Sequence, residues 1–151
     1  MRVAVGADHA GFPLKDQVIE LLEKEGHAVL DLGTHNTDPV DYPDYAQAVG
    51  EAVVKGEAQL GILLCGSGVG TSIAANKVPG IRAALCHDVF SARQSREDDD
   101  ANVLCLGPRV IGPSLADDLI RAFLAARFSK AERHQRRLEK VIKMETRLTG
   151  S

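Results

Sequence analysis

Five short apolar runs alternate with amphipathic segments along most of the chain. Runs of this length predict buried strands, because a strand that is covered on both faces reads as a continuous apolar stretch. The predicted strands are Arg2–Gly6, Ala28–Leu32, Leu60–Cys65, Arg82–Cys86 and Val103–Gly107. Apolar residues at helical spacing predict helices over Leu14–Glu25, Tyr45–Lys55, Gly70–Lys77, Val89–Glu97 and Ser114–Arg127.

This alternation predicts an α/β fold, because parallel strands need long crossover connections and right-handed crossovers place helices on both faces of a sheet. We expect a three-layer α/β/α sandwich around a five-stranded parallel sheet of the Rossmann-like kind. A length of 151 residues suits one domain over residues 1–151. Ligands of such sheets bind beyond the carboxyl ends of the strands, so the turns after the strands are the places to search.

The segment 131–148 follows a predicted helix directly and has no strand after it. It mixes arginines and lysines with Leu138, Val141 and Ile142, which predicts an extra amphipathic C-terminal helix. The apolar stripe of that helix must pack on its own domain or on a second chain. We favour packing on a partner subunit.

Composition argues against several classes of protein. A net charge of −3 gives no positive field for a nucleic acid or an anionic membrane, and no apolar run approaches the length of a membrane span. Cys65, Cys86 and Cys105 are widely spaced, which indicates reduced thiols in a cytoplasmic protein. Without a CxxC pair or an HExxH motif, we expect neither a metal nor another cofactor.

The strongest local signal is Cys65 at the end of the third predicted strand, followed by a glycine-rich turn and a helix. The turn reads Gly66, Ser67, Gly68, Val69 and Gly70. Glycines let backbone N–H groups approach an anion, and the N-terminus of the next helix favours a thiolate that can act as a base. A free cysteine is also often a small core residue, and position alone does not decide between the two. The turn lacks the lysine of a nucleotide-binding P-loop.

Other polar residues are weaker candidates when they are taken alone. Asp8 and His9 follow the first strand and should reach the same sheet edge as Cys65, although Asp8 could instead cap the next helix. Arg133 and Arg137 share one helix face and could hold a phosphate with His134 alongside, but a solvated basic face is the commoner arrangement.

Taken together, these motifs resemble the type B ribose-5-phosphate isomerases, a family that also includes allose-6-phosphate isomerases and galactose-6-phosphate isomerase subunits. The resemblance covers nearly the whole chain. It rests on the segments Gly6–Gly11, Asp41–Pro43, Cys65–Gly70, Ile73–Lys77, Gly80–Ala84, Ala101–Leu104 and Arg133–His134.

The resemblance implies an aldose–ketose isomerase in which Cys65 moves a proton between two sugar carbons and the amides of Gly66 to Gly70 stabilise an enediolate. It also implies that Ser67 assists at a substrate oxygen. Asp8, His9 and Tyr42 would line the pocket, and Arg109, Arg133 and Arg137 would hold the phosphate of a phosphorylated sugar. Pockets in this family form between two subunits, so a homodimer or a dimer of dimers is implied.

The chain departs from the family at one place. Where the family usually has Ser-Arg-x-His-Asn-Asp, this chain has Ser95, Arg96, Glu97, Asp98, Asp99 and Asp100. Asp98 therefore replaces the ring-opening histidine, and Asp99 replaces an asparagine that contacts the sugar. A protonated Asp98 could still donate to the ring oxygen. The change leaves open an isomerase for another sugar phosphate, of the allose, galactose or tetrose type, or a non-catalytic sugar-phosphate-binding protein.

Overall fold

The structure is a computed structural model that describes residues 1–149. Strands and helices alternate as the sequence predicts, and a sixth helix ends the chain. The strands are β1 Arg2–Ala7, β2 Ala28–Asp31, β3 Leu60–Leu64, β4 Ala83–Leu85 and β5 Val103–Leu106. The helices are α1 Phe12–Lys24, α2 Tyr42–Val54, α3 Val69–Ala75, α4 Val89–Asp99, α5 Pro113–Ala125 and α6 Glu132–Thr149.

The five strands form one parallel sheet in the order β2-β1-β3-β5-β4, which confirms the predicted fold class. The chain leaves β1 toward one side of the sheet, to β2, and later fills the other side from β3. The strand order therefore reverses between β1 and β3. Open α/β sheets form their ligand crevice at the carboxyl ends of the two strands that flank such a reversal.

Helices cover both faces of the sheet, so the strands are buried from both sides. Ile62 and Leu64 of β3 face a core that includes Val18 of α1 and Phe123 of α5. Leu63 faces the opposite core, with residues of α2 and α3. This arrangement explains why the strands read as unbroken apolar runs instead of alternating patterns.

Most helix boundaries differ from the prediction by one to three residues, and two of these differences concern candidate site residues. Helix α2 begins at Tyr42 instead of Tyr45, because a proline is well tolerated in a first helical turn and Pro43 lies there. Helix α4 continues through Asp99, two residues beyond the predicted end at Glu97, so Asp98 and Asp99 lie in its last turn. Only Asp100 leaves the helix, at φ 50°, where Arg82 Nη2 lies 3.1 Å from its carboxylate.

Helix α6 packs against its own domain at two points. The segment before it is joined to α4 by a hydrogen bond from Ser129 N to Glu97 O (2.9 Å), and Gly80 N donates to Glu145 Oε1 (3.0 Å). Part of its apolar stripe stays exposed, since Val141 and Met144 are 52% and 60% accessible. Packing of α6 on a partner remains a prediction. Within residues 1–149, no helix is both long and apolar enough to cross a bilayer.

Candidate active site

The carboxyl ends of β1 and β3 meet where the strand order reverses. Asp8 N donates a hydrogen bond to Leu64 O over 3.1 Å, so the first residue after β1 lies against the last residue of β3. Gly11 makes this approach possible, because a Cβ at this position would lie 2.0 Å from Leu64 O. The two turns that carry Asp8 and Cys65 are therefore neighbours.

Cys65 directly follows β3 at this edge of the sheet and is 4% exposed. Its backbone N donates to Leu106 O over 3.3 Å, which fixes the end of β3 against β5. Its Sγ lies 3.3 Å from Oγ1 of Thr71, a buried residue in the first turn of α3. The thiol is thus buried, and its polar neighbour is a hydroxyl group.

The loop from Gly66 to Gly70 bends tightly after Cys65. Gly68 has φ 81°, and a Cβ on it would lie 2.6 Å from Leu85 Cδ1. Ser67 is exposed, and its Oγ accepts a hydrogen bond from Val69 N over 3.3 Å. Helix α3 has only seven residues, so its dipole is small and the loop's own amide groups are the main donors for an anion.

The residues after β1 are held by local hydrogen bonds. Asp8 Oδ1 accepts from Ala10 N and Gly11 N, both at 2.9 Å, so this carboxylate does support the turn before α1. His9 Nδ1 accepts from Val40 N over 3.1 Å. A ring nitrogen that accepts carries no proton, so neutral His9 has its N–H at Nε2.

Tyr42 and Arg109 each lie against a glycine of the loop. A Cβ on Gly70 would lie 2.9 Å from the Tyr42 ring, which shows how closely the ring covers the backbone there. Arg109 N donates to Gly66 O over 3.0 Å, and its guanidinium lies beside Gly66. Both side chains are exposed, so both can reach a ligand in the crevice.

Sequence reasoning missed two polar residues near the loop. Thr71 is one, and its only signal was a hydroxyl residue in the first helical turn after the cysteine. His87 is the other: its Nε2 accepts from Gly107 N over 3.0 Å, and Gly107 packs directly against Ser67. Burial lowers the pKa of His87 from its usual 6.5, which favours the neutral ring that this hydrogen bond needs.

The remaining predicted residues lie at the other edge of the sheet. Helix α4 starts after the carboxyl end of β4, and its eleven residues carry the chain back by about 16 Å. Asp98 is in its last turn, with its Oδ1 3.5 Å from Nε2 of His134. His134 is 8% exposed, and Ser129 Oγ hydrogen-bonds to its Nδ1. His134 is thus turned inward, whereas Arg133 and Arg137 are exposed on α6.

A groove of about 580 Å³ runs between α6 and the start of β4, and Asp99, Arg137 and Val141 are among its lining residues. Within one chain, the predicted residues therefore fall into two groups. We call the first the carboxyl-edge group: Asp8, His9, Tyr42, Cys65, the loop Gly66–Gly70 and Arg109. We call the second the amino-edge group: Asp98, Asp99, Arg133, His134 and Arg137.

Comparison with known proteins gives consistent matches over nearly the whole chain. The sequence profile described as Ribose/Galactose Isomerase matches residues 3–141. Ribose-5-phosphate isomerase B of Escherichia coli is 46% identical over 146 residues, which is 97% of each chain. D-erythrulose-4-phosphate isomerase of Pectobacterium atrosepticum is 46% identical over 130 residues, which is 85% of each chain.

The fold comparison agrees with the sequence comparison. The solved structure of ribose-5-phosphate isomerase B from Clostridium thermocellum superposes with a TM-score of 0.96 at 48% identity. The match covers 98% of this chain and 99% of the other. The superposed region therefore contains the residues of both the carboxyl-edge group and the amino-edge group.

Proposed function

Because this chain belongs to the ribose/galactose isomerase family, we propose that it interconverts ribose 5-phosphate and ribulose 5-phosphate. The observation that carries the proposal is the position of Cys65, buried directly before the Gly66–Gly70 loop at the sheet edge where the ends of β1 and β3 meet. Proton transfer beside a carbonyl needs a base and a stabiliser of the developing oxyanion at the same place. In this proposal Cys65 is the base and the amide groups of the loop stabilise the oxyanion.

The proposed reaction starts from the open-chain aldose. The Cys65 thiolate removes the proton from C2, and the electrons move onto the carbonyl oxygen O1 to form an enediolate. The amide groups of Gly66 to Gly70 stabilise this negative charge. Ser67 assists the transfer of a proton from O2 to O1, and Cys65 returns its proton to C1. The product is the ketose, and the thiolate is regenerated.

Binding of the rest of the substrate is assigned by charge and position. Asp8, His9 and Tyr42 would contact the sugar hydroxyls at the carboxyl edge. Arg109, Arg133 and Arg137 would hold the phosphate, with His134 alongside, because guanidinium groups pair with phosphate oxygens bidentately. Asp99 would lie near the sugar.

The two groups cannot face one substrate within one chain if they lie at opposite edges of the sheet. We therefore include in the proposal a homodimer or a dimer of dimers. In either assembly, the amino-edge group of one subunit completes the site around the carboxyl-edge group of another. Apolar side chains around the crevice support this. Ile73 and Phe90 are each 58% exposed, and Val69 is 45% exposed. Free, buried cysteines suit a reducing compartment such as the cytoplasm.

One observation favours a second candidate substrate, a tetrose 4-phosphate. Asp98 replaces the ring-opening histidine of the family, and a relative at 46% identity is named for D-erythrulose 4-phosphate. A tetrose 4-phosphate carries its phosphate on O4, so it cannot close a five-membered ring. Such a substrate needs no ring opening, so the replacement of the histidine by Asp98 would not lower its turnover.

The test compares both substrates with the same purified protein. Ketose formation from ribose 5-phosphate, absent in the Cys65→Ala variant, is the expected result. Asp98→His should raise turnover of ribose 5-phosphate several-fold and leave tetrose turnover unchanged, since a histidine restores a proton donor for ring opening. Turnover of the tetrose alone would favour the second candidate. Binding without turnover of either would leave a sugar-phosphate-binding protein.

A further inference from the structure

Thr71 is the polar group next to Cys65 that the proposed reaction does not use. Its side chain is fully buried in the first turn of α3. Its Oγ1 lies 3.3 Å from Cys65 Sγ and 3.2 Å from Gly68 O. Thr71 also acts on the pKa of Cys105, a buried thiol on β5. Its hydroxyl group thus has one sulfur and one carbonyl oxygen within hydrogen-bond distance.

The protonation of Cys105 limits what this hydroxyl can do. Burial raises the pKa of Cys105 to about 12, although the Thr71 hydrogen bond acts in the opposite direction. At neutral pH Cys105 is therefore a neutral thiol, and it does not draw the Thr71 hydroxyl proton as an anion would. The single hydroxyl proton of Thr71 stays available for either Gly68 O or Cys65 Sγ.

Turning the hydroxyl away from Gly68 leaves no unpaired carbonyl. Gly68 O also accepts a hydrogen bond from Ser72 N over 3.1 Å, so it keeps a partner when Thr71 rotates. A hydrogen bond to an ionised acceptor is roughly twice as strong as one between neutral groups. The hydroxyl therefore gains by pointing at Cys65 once that sulfur is charged.

We propose that Thr71 is a positioning residue that stabilises the Cys65 thiolate by donating its hydroxyl proton to Sγ, with Gly68 O as the alternative acceptor when Cys65 is a thiol. The proposal rests on the proposed role of Cys65 as the base. It assigns to Thr71 the two tasks of orienting Sγ in the crevice and favouring its charged form.

The test measures the thiol directly as well as the reaction. Thr71→Val keeps the shape and removes the hydroxyl, and Thr71→Ser keeps the hydroxyl. The rate of Cys65 alkylation by iodoacetamide, located by mass spectrometry, is followed against pH. In Thr71→Val the midpoint should move up by about one pH unit, which makes alkylation near neutral pH about tenfold slower. Thr71→Ser should restore most of the rate.

Ser95→Ala is the matched control, because the Ser95 hydroxyl is also buried, donates to Ala92 O over 2.8 Å and hydrogen-bonds another thiol, that of Cys86. This variant should leave the Cys65 midpoint unchanged. Thr71→Ala should shift the midpoint as Thr71→Val does, which separates the loss of the hydroxyl from any misfit of valine. With turnover, the hydroxyl-free variants should lose kcat more than they raise KM.

The outcomes separate this inference from the proposed function. An alkylation midpoint that is equal in the wild type, Thr71→Val and Thr71→Ala overturns the role of Thr71, whatever the enzyme turns over. A shifted midpoint that Thr71→Ser reverses supports it, even if ribose 5-phosphate is not the substrate. Circular dichroism confirms that each variant is folded.

Discussion

The two edges of the sheet hold their polar residues in different ways. At the carboxyl edge, Asp8, His9 and Cys65 are each fixed by hydrogen bonds to neighbouring backbone or hydroxyl groups. At the amino edge, Arg133 and Arg137 extend from one helix into solvent. The polar groups of the carboxyl edge are thus already fixed within one chain. The two arginines of the amino edge lie on an exposed helix surface, where a ligand or a second chain would have to contact them.

The largest expected effect comes from dividing the two groups between two chains. Cys65→Ala and Arg137→Ala should each lower kcat/KM by about a thousandfold or more, because one removes the proposed base and the other a proposed phosphate ligand. Co-expression of the two variants should restore about a quarter of wild-type activity. Half of the dimers would then be mixed, and each mixed dimer would contain one intact site of two. Ribose 5-phosphate turnover by the purified mixture is the measurement.

The control pairs two variants from the same edge. Cys65→Ala with Asp8→Asn should recover nothing, since every mixed dimer would have two defective carboxyl-edge groups. If Cys65→Ala and Arg137→Ala also recover nothing while sedimentation shows mixed dimers, the two groups do not share a site across subunits.

A second prediction concerns the rigidity of the carboxyl edge. Gly70→Ala places a Cβ 2.9 Å from the Tyr42 ring, so the ring or the loop must move. We expect kcat/KM to fall about a hundredfold, because misplacement by about an ångström is costly in a preorganised site. Gly112→Ala is the matched control, since a Cβ there meets no atom within 4 Å. Steady-state kinetics that are alike for both variants would show that the loop adapts.

The sequence predicts the carboxyl edge better than the amino edge for a physical reason. Asp8 and Cys65 each follow a strand directly, so the parallel sheet alone brings them together. The contact between Asp98 and His134 joins two helices, and helix packing angles and rotation are not encoded in a local pattern. Thr71 and His87 were missed for the same reason, because their partners come from tertiary folding. The start of α2 at Tyr42 depended on Pro43, which fits both a turn and a first helical turn.

The edges should also differ in stability. Lys15 is 2% exposed beneath the carboxyl edge, with its Nζ 2.8 Å and 2.9 Å from the two carboxylate oxygens of Asp31. Lys15→Met should lower the free energy of unfolding by about 2 kcal/mol, less than for a fully buried pair because Asp31 is partly solvated. Arg133→Met, on the exposed face of α6, should change it by less than about 0.5 kcal/mol. Urea unfolding of both variants tests the difference, and equal losses would contradict it.

Acid should weaken the same pair. Burial would raise the pKa of Asp31, but hydrogen bonds from Lys15 and Gly33 and the charge of Lys15 lower it overall. A carboxyl group with a lowered pKa stabilises the fold above its unfolded value of 3.8, and the contribution is lost as the pH falls through the folded value. This titration lies well below that of any histidine, so the two can be distinguished.

The smallest expected effect is the titration of His87. Its pKa is lowered by burial, so the folded state binds fewer protons than the unfolded state just below pH 6.5. Its contribution is complete above 6.5 and is lost as the pH falls through the folded value, when protonated Nε2 can no longer accept from Gly107 N. His87→Asn keeps a side-chain acceptor that does not titrate. Thermal unfolding of this variant should lose the slope that the wild type shows as the pH falls below 6.5. If the slope persists, another group controls it, and the backbone beside Ser67 does not depend on His87.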